Sequence, residues 1–282
     1  MSRTFRCGRR EFRLGERTYI LGILNVTPDS FSDGGRFFDP DLAVAHAKEM
    51  VAQGADIIDV GGESSRPGSE PVSAREEKRR VLPVIEALAD RVDVPISIDT
   101  YKSEVAREAL DRGASMVNDI SGLKESPDMV DLVAQQGASL VVMHMRGRPK
   151  TMQKDPRYKD VVKEVVSFLK GQADRACGAG VSKDRILVDP GIGFGKTVDH
   201  NLELIRELGA VRRLGYPVLI GTSRKSFIGH LLGTEVDDRL EGTIASNVVA
   251  VLNGADFVRV HDVREIKRAL TITDYVLRGK GR

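Results

Sequence analysis

The sequence predicts an α/β fold of the (β/α)8 barrel type, and three observations carry that prediction. Short apolar runs without polar alternation, of the kind buried on both faces of a parallel sheet, recur along the chain between amphipathic helical segments. A small-residue turn, Gly-Ala-Asp or Gly-Ala-Ser, stands between helix and strand at Gly54, Gly113, Gly137 and Gly254. Such a turn lets a repeated βα unit bring its helix back against the sheet. About eight units follow one another without a Pro/Ser-rich linker, which favours a barrel over a flavodoxin-like or Rossmann-like open sheet.

The 282 residues are expected to form one domain, residues 1–282, in which residues 1–18 are an N-terminal arm folded as a short hairpin around Gly15. The candidate strands are Ile20–Leu24, Ile57–Val60, Pro95–Ile98, Met116–Val117, Leu140–Met143, Ile186–Val188, Val218–Ile220 and Phe257–Val260. Between them the helices carry boundary signals. Asp39-Pro40 reads as an N-cap followed by proline in the first turn, with Gly54 ending that helix. Ser73 and Glu76 have capping-box spacing, and Pro83 is expected to kink or divide the helix they open. Ser126-Pro127 repeats the cap-proline pattern before a segment that stops at Gly137, and Asp262 is placed to cap a last helix running towards Leu277.

Composition excludes more than it selects. The 43 basic and 41 acidic residues nearly cancel to a net charge of +2, so no global field points to nucleic acid or to an anionic membrane as partner. Any anion site must be local. The two cysteines, Cys7 and Cys177, have no metal-ligand spacing and suggest no disulfide framework, which fits a reducing, cytoplasmic setting. The basic start (Arg3, Arg6, Arg9, Arg10) is not followed by an apolar segment, because Glu11, Arg13, Glu16 and Arg17 interrupt it, so no secretory signal is expected. No apolar run approaches the roughly 18 residues of a membrane span.

A barrel gathers the carboxyl ends of its strands at one mouth, and here almost every strand end turns polar. The first gives Asn25, then Asp29 and Asp33; the second gives Gly61-Gly62-Glu63-Ser64-Ser65-Arg66-Pro67-Gly68. Asp99-Thr100, Asn118-Asp119 and His144 follow the third to fifth. Asp189 opens the sixth loop, which runs through Phe194 to Lys196; Gly221 leads to Arg224 and Lys225; Arg259, His261 and Asp262 close the last strand. Asp99, Asn118 and Asp189 suit the amino and oxo edges of a flat heterocycle, since buried carboxylates and amides need such partners. Arg66, Lys225, Arg259 and His261 form a cationic group suited to phosphate oxygens. Together they suggest a heterocycle bearing a diphosphate.

Plainer roles compete for single residues. Asp119 and Asp262 are good candidates for turn or helix caps, His144 reads more readily as a core or supporting histidine than as a ligand, and Cys177 as inert. The run from Gly191 to Thr197 looks like a phosphate loop but fails the spacing, since position 190 would have to be Gly and is Pro190.

Seven stretches in this order resemble the dihydropteroate synthase family: NVTPDSFSDGG from Asn25, GGESSRPG from Gly61, SIDT from Ser97, NDISG from Asn118, DPGIGFGK from Asp189, GTSRKSFIG from Gly221 and RVHD from Arg259. The resemblance implies a TIM barrel, commonly a homodimer, that condenses 6-hydroxymethyl-7,8-dihydropterin diphosphate with 4-aminobenzoate and uses Mg2+. Carried over position by position, it implies that Asp99, Asn118, Asp189 and Lys225 form the pterin pocket. Asn25, Arg66, Arg259 and His261 become the diphosphate group, with Asn25 holding the metal. Phe31, Asp33, Ser65, Arg66, Pro67, Phe194, Lys225 and Ser226 surround the aminobenzoate, and Gly221 lies at the substrate-facing end of its strand. Ser65 departs from the family, which usually has Thr there; the hydroxyl is kept and a methyl is lost. A pterin-binding methyltransferase domain and a silent pterin-binding paralogue are the alternatives the motifs leave.

Overall fold

The computed structural model describes residues 3–27 and 40–279. A hairpin of β1 (Thr4–Cys7) and β2 (Arg10–Arg13) precedes the barrel strands β3 (Tyr19–Asn25), β4 (Ile57–Gly61), β5 (Ile96–Asp99), β6 (Met116–Asp119), β7 (Ser139–Met143), β8 (Ile186–Asp189), β9 (Leu219–Ile220) and β10 (Phe257–Val260). Among the described residues these eight pair in parallel in the order β8-β7-β6-β5-β4-β3-β10-β9. A lone bridge between Val188 and Val218 joins the two ends of that order and closes the barrel. The helices are α1 (Pro40–Gln53), α2 (Ala74–Ala89), α3 (Ser103–Asp111), α4 (Met129–Gln135), α5 (Val161–Gly178), α6 (Val198–Arg206), α7 (Leu208–Arg212), α8 (Ser226–Leu232), α9 (Leu240–Leu252) and α10 (Val263–Arg278).

Strand alternation sorts side chains to two faces. Ile20, Leu24, Ile58, Val60, Ile98, Val117, Val142, Val188 and Val258 pack outward against the helices. Leu21, Ile57, Met116, Val141, Leu187, Leu219 and Phe257 point inward and form an apolar floor with Phe5, Cys7 and Phe12 of the hairpin. Phe12 meets Phe257 edge-on at 5.6 Å and Tyr19 at 5.0 Å, so the N-terminal arm plugs the lower end of the barrel. Each such fully buried side chain contributes about 1.5–3 kcal/mol. Two residues further along the same inward-facing rows the chemistry changes, because Asp59, Asn118, Asp189 and Arg259 replace the hydrocarbons.

The predicted barrel and N-terminal hairpin are present, and several local readings change. The hairpin turns at Gly8, whose φ of +56° suits glycine, while Gly15 lies in the next turn. Strands extend one or two residues further than their apolar runs, because Asn25, Asp99, Asn118, Asp119 and Asp189 keep their backbone in the ladder while their side chains face inward or the loops. Pro40 and Gly54 bound α1 as expected, and Asp39 lies outside the described residues. Ser73 caps α2 by accepting from Glu76 N at 3.2 Å, but the Glu76 carboxylate turns to Arg79 and Arg80 instead of completing the box. Pro83 sits inside an undivided α2. Ser126 does not cap α4, which begins at Met129; its hydroxyl accepts from Ser103 N at 3.2 Å and donates to Tyr101 O at 2.8 Å. Asp262 occupies the N-cap position of α10, yet its carboxylate binds Arg224 at 2.5 and 3.1 Å.

Candidate active site

The mouth is built around one guanidinium. Arg259, inward-facing on β10, donates through Nε to Asp59 Oδ2 and through Nη2 to Asp99 Oδ2, each at 2.6 Å. Asn118 Nδ2 donates to the same Asp59 oxygen at 2.9 Å. Four strands are thereby tied across the barrel by charge-assisted bonds. Asp59 is fully buried, and its Oδ1 has no hydrogen-bond partner. The sequence reading did not single out Asp59. Its signal was legible, since a carboxylate between Ile58 and Val60 in a buried strand requires a partner across the barrel.

Burial sets the protonation of the group. It pushes the Asp99 carboxyl up to about 7 against the pull of Arg259, and Asp189 up to about 6 against the hydrogen bond from Gly191 N. Burial alone would lower the Arg259 guanidinium, but the Asp59 and Asp99 carboxylates hold it above its ordinary value. Lys225 falls to about 8 through burial and the charge of Arg259. His261 falls to about 3, first through burial and then through Arg259, so it is neutral at pH 7. Ser223 Oγ lies 2.9 Å from His261 Nδ1 and accepts from the His261 backbone N at 3.2 Å. That contact engages Nδ1, and Nε2 is the ring nitrogen left to meet a ligand. The expected cationic group is thus less cationic than its residue types suggest: Arg259 is shared between two carboxylates and His261 is neutral.

The sixth and seventh loops supply the other wall. Lys225 Nζ lies 4.0 Å from the centre of the Phe194 ring. Gly193, at φ +82°, lets the chain pass the lysine stem, where a Cβ would come within 3.1 Å of Lys225 Cδ. Lys196, 2% exposed, turns away from the mouth: Nζ donates to Gly191 O at 2.9 Å and Phe194 O at 3.0 Å and lies 3.0 Å from His144 Nδ1. Burial pulls its pKa well below the lysine range. The rejected phosphate loop is therefore a turn laced from inside, and His144 is the satisfied core residue expected. Lys196→Met removes the lysine donor from Phe194 O and leaves Gly191 O with Phe194 N alone, at 3.1 Å, and is expected to lower stability by about 2 kcal/mol or more in urea unfolding.

The other predicted residues are placed as follows. Asn25 ends β3 beside Gly61 of β4, half-buried. Gly221 abuts Arg259, with a Cβ position 3.7 Å from the arginine Cβ. Ser65 shares the lining of a small cavity with Asp99 and Tyr101. Arg66, Pro67 and Ser226 are exposed, and no bond joins Arg66 to Arg259, Lys225 or His261. Phe31 and Asp33, like Asp29, lie outside the described residues. Asp119 is a turn residue, accepting from Ser121 N at 2.7 Å and Leu123 N at 3.0 Å. Among the described residues no helix is long and apolar enough to cross a membrane.

The pterin binding enzyme family matches residues 21–261. A dihydropteroate synthase from Clostridium beijerinckii is 50% identical over 272 residues, 96% of this chain and 98% of its own. The structure of a dihydropteroate synthase from Xanthomonas albilineans with 4-aminobenzoic acid superposes with a TM-score of 0.91 at 44% identity, covering 98% of this chain and 99% of that one. One from Thermus thermophilus in complex with 4-aminobenzoate superposes at 0.87 with 46% identity, covering 97% and 100%. With the ordered motifs placed at one barrel mouth and likeness along nearly the full length, this chain belongs to the dihydropteroate synthase family of pterin-binding enzymes.

Proposed function

We propose that the chain condenses 6-hydroxymethyl-7,8-dihydropterin diphosphate with 4-aminobenzoate, giving 7,8-dihydropteroate and diphosphate. The observation that carries this reading is the Asp59–Arg259–Asp99 bridge with Asn118, an acid and amide floor crossed by a planar cation. Asp99, Asn118 and Asp189 hold the donor and acceptor edges of the pterin, and Lys225, stacked on Phe194, closes over it. Arg259, His261 through Nε2, and Arg66 from the exposed loop face the diphosphate, where charge builds as the methylene–oxygen bond breaks. The neutral arylamine then attacks the methylene carbon and releases its proton, so the nucleophile needs orientation more than a strong base. Ser65, Arg66, Pro67, Phe194, Lys225 and Ser226 supply that orientation, with Phe31 and Asp33 from the first loop.

Mg2+ fits this mouth as a companion of the diphosphate. The half-buried Asn25 side chain accepts no hydrogen bond among the described residues, and these hold no cluster of three His, Cys, Asp or Glu groups for a metal. One amide oxygen suits an ion that takes its other ligands from phosphate and water. When bound, Mg2+ supplies charge stabilisation to the leaving group.

The natural partner is a second copy of the chain. Val249 and Leu252 on α9 and Ile272, Tyr275 and Val276 on α10 are exposed, Val276 to 77%, on two helices packed together. Val276→Asp is expected to shift the sedimenting species from dimer to monomer; an unchanged sedimentation coefficient contradicts this interface. The unpaired Cys7 and Cys177 support a cytoplasmic setting. Expression in a cell lacking dihydropteroate synthase tests the activity: growth without supplied folate end products is expected, and soluble protein without growth refutes it.

A further inference from the structure

Beneath the loop that follows β4, side chains from three segments meet around one lysine. Lys102, in the turn between β5 and α3, places Nζ 2.5 Å from Glu63 Oε2 and 2.5 Å from Glu77 Oε2. The hydroxyl of Tyr101 donates to Glu63 Oε1 at 2.5 Å, and Val72 N donates to Glu63 Oε2 at 3.2 Å. Glu77 is fixed on α2 and 1% exposed, whereas Glu63 stands at the base of the loop, two residues before Ser65 and three before Arg66. Glu63, Ser65, Glu77, Asp99 and Tyr101 line one cavity of about 10 Å³, room for one water.

Most other bonds of the loop are local to it. Arg66 N reaches Ser64 Oγ at 3.4 Å, Ser69 N reaches Arg66 O at 3.1 Å, and Ser69 Oγ reaches Ser64 O at 2.5 Å. Its tip touches the rest of the fold through Gly68 N to Pro149 O at 3.1 Å and an exposed Lys150–Glu70 pair. At its base Arg80 Nη1 holds Gly62 O at 2.8 Å. Glu63 is the first side chain of the loop, and Lys102 is what allows it to lie against a second carboxylate. Without that ammonium the two carboxylates repel. Glu77 stands on a helix and Glu63 on the loop, so Glu63 is the one that shifts, against its remaining bonds from Tyr101 and Val72, and Ser65 and Arg66 move with it.

We propose that Lys102 is a positioning residue: by clasping Glu63 against Glu77 it fixes the loop of residues 64–68 over the mouth, so that Ser65 and Arg66 meet the arylamine in the correct place. The proposal rests on the catalytic reading above for the identity of that substrate. The consequence is selective, because Asn118, Asp189 and Lys225 do not touch the clasp, and Asp99, which shares its cavity, is held separately by Arg259.

Steady-state kinetics of Lys102→Met test it together with hydrogen exchange. The KM for 4-aminobenzoate is expected to rise about tenfold or more and kcat to fall by less, since Arg66 also faces the diphosphate, with the affinity for a pterin alone changing less than about threefold. Adding Glu77→Gln removes the like-charge repulsion and restores a hydrogen bond to Glu63, so the double variant is expected to recover most of the lost KM. Lys102→Arg, which keeps the charge, is expected to recover it as well. Amides of residues 64–69 are expected to exchange about tenfold faster in Lys102→Met than in the parent protein, with or without substrates. Unchanged KM and exchange overturn the proposal, as does an equal loss for both substrates that Glu77→Gln does not relieve. If Lys102→Met fails to fold, Glu63→Gln, which halves the clasp, is read by the same two measurements with the same expected directions. Should the parent protein make no dihydropteroate, the catalytic reading fails, and the exchange comparison still decides whether Lys102 fixes the loop.

Discussion

Arg259→Ala is expected to lower turnover by about 10²–10³-fold and to destabilise the fold at the same time. The two effects share one cause. The guanidinium is the common partner of Asp59 and Asp99, and its removal leaves Asp59, fully buried, with only Asn118 Nδ2 as donor. Breaking a buried pair by deleting one member typically costs about 3–5 kcal/mol, because the remaining charge stays in low dielectric. Diphosphate release is slowed separately, since the positive charge near the leaving group is gone. Arg259→Lys separates the contributions: an ammonium restores charge but cannot span both carboxylates as a fork does. Stability is expected to recover partly and turnover to stay at least about tenfold low. Stopped-flow diphosphate release and urea unfolding on the same samples check both, and near-normal turnover in Arg259→Ala removes Arg259 from the mechanism.

Asp189→Asn is expected to do the opposite to stability while abolishing most activity. Burial raises the Asp189 pKa from 3.8 to about 6, so the folded protein binds this proton more tightly than the unfolded chain. The sign follows: the fold is favoured below about pH 4 and loses that advantage as the pH rises through about 6. Above pH 6 the buried, ionised carboxylate costs about 2–3 kcal/mol at roughly 1.4 kcal/mol per unit. Asparagine carries no charge, and its Oδ1 keeps the bond from Gly191 N, which is 2.7 Å in the parent protein. The variant is therefore expected to melt a few degrees higher at pH 7.5 and at the parent temperature below pH 4. Its kcat/KM is expected to fall about 10²-fold or more, because an amide N–H set against a pterin N–H leaves both unpaired. Calorimetry from pH 4 to 8 beside kinetics checks the pair of signs. A variant no more stable than its parent at neutral pH contradicts the strain assigned to Asp189.

This opposition of stability and function shows what the sequence reveals and what it hides. Strands such as Ile57–Gly61 and Ile186–Asp189 are legible because continuous apolar runs buried on both faces have few alternatives, and the Gly-Ala turns mark where each helix returns. The polar residues at the strand ends are legible for the same reason, as abrupt breaks in an apolar pattern. Partner choice is not. Asp59 lies inside a run and finds Arg259 two hundred positions away; Ser126 caps a neighbouring helix; Asp262 turns from its own helix to Arg224. Local propensity ranks a residue's nearby options, while closure of the barrel decides which distant group lies within reach. Lys196 shows the same limit: the spacing around Pro190 excludes a phosphate loop, but only the fold shows that the buried lysine braces the turn that carries Phe194.

The most direct test of the whole account is diphosphate release by the purified protein given the pterin diphosphate and Mg2+, with and without 4-aminobenzoate. One diphosphate per dihydropteroate formed, with release dependent on the arylamine, is the predicted result. No release with both substrates present, or release at the same rate when 4-aminobenzoate is omitted, contradicts it.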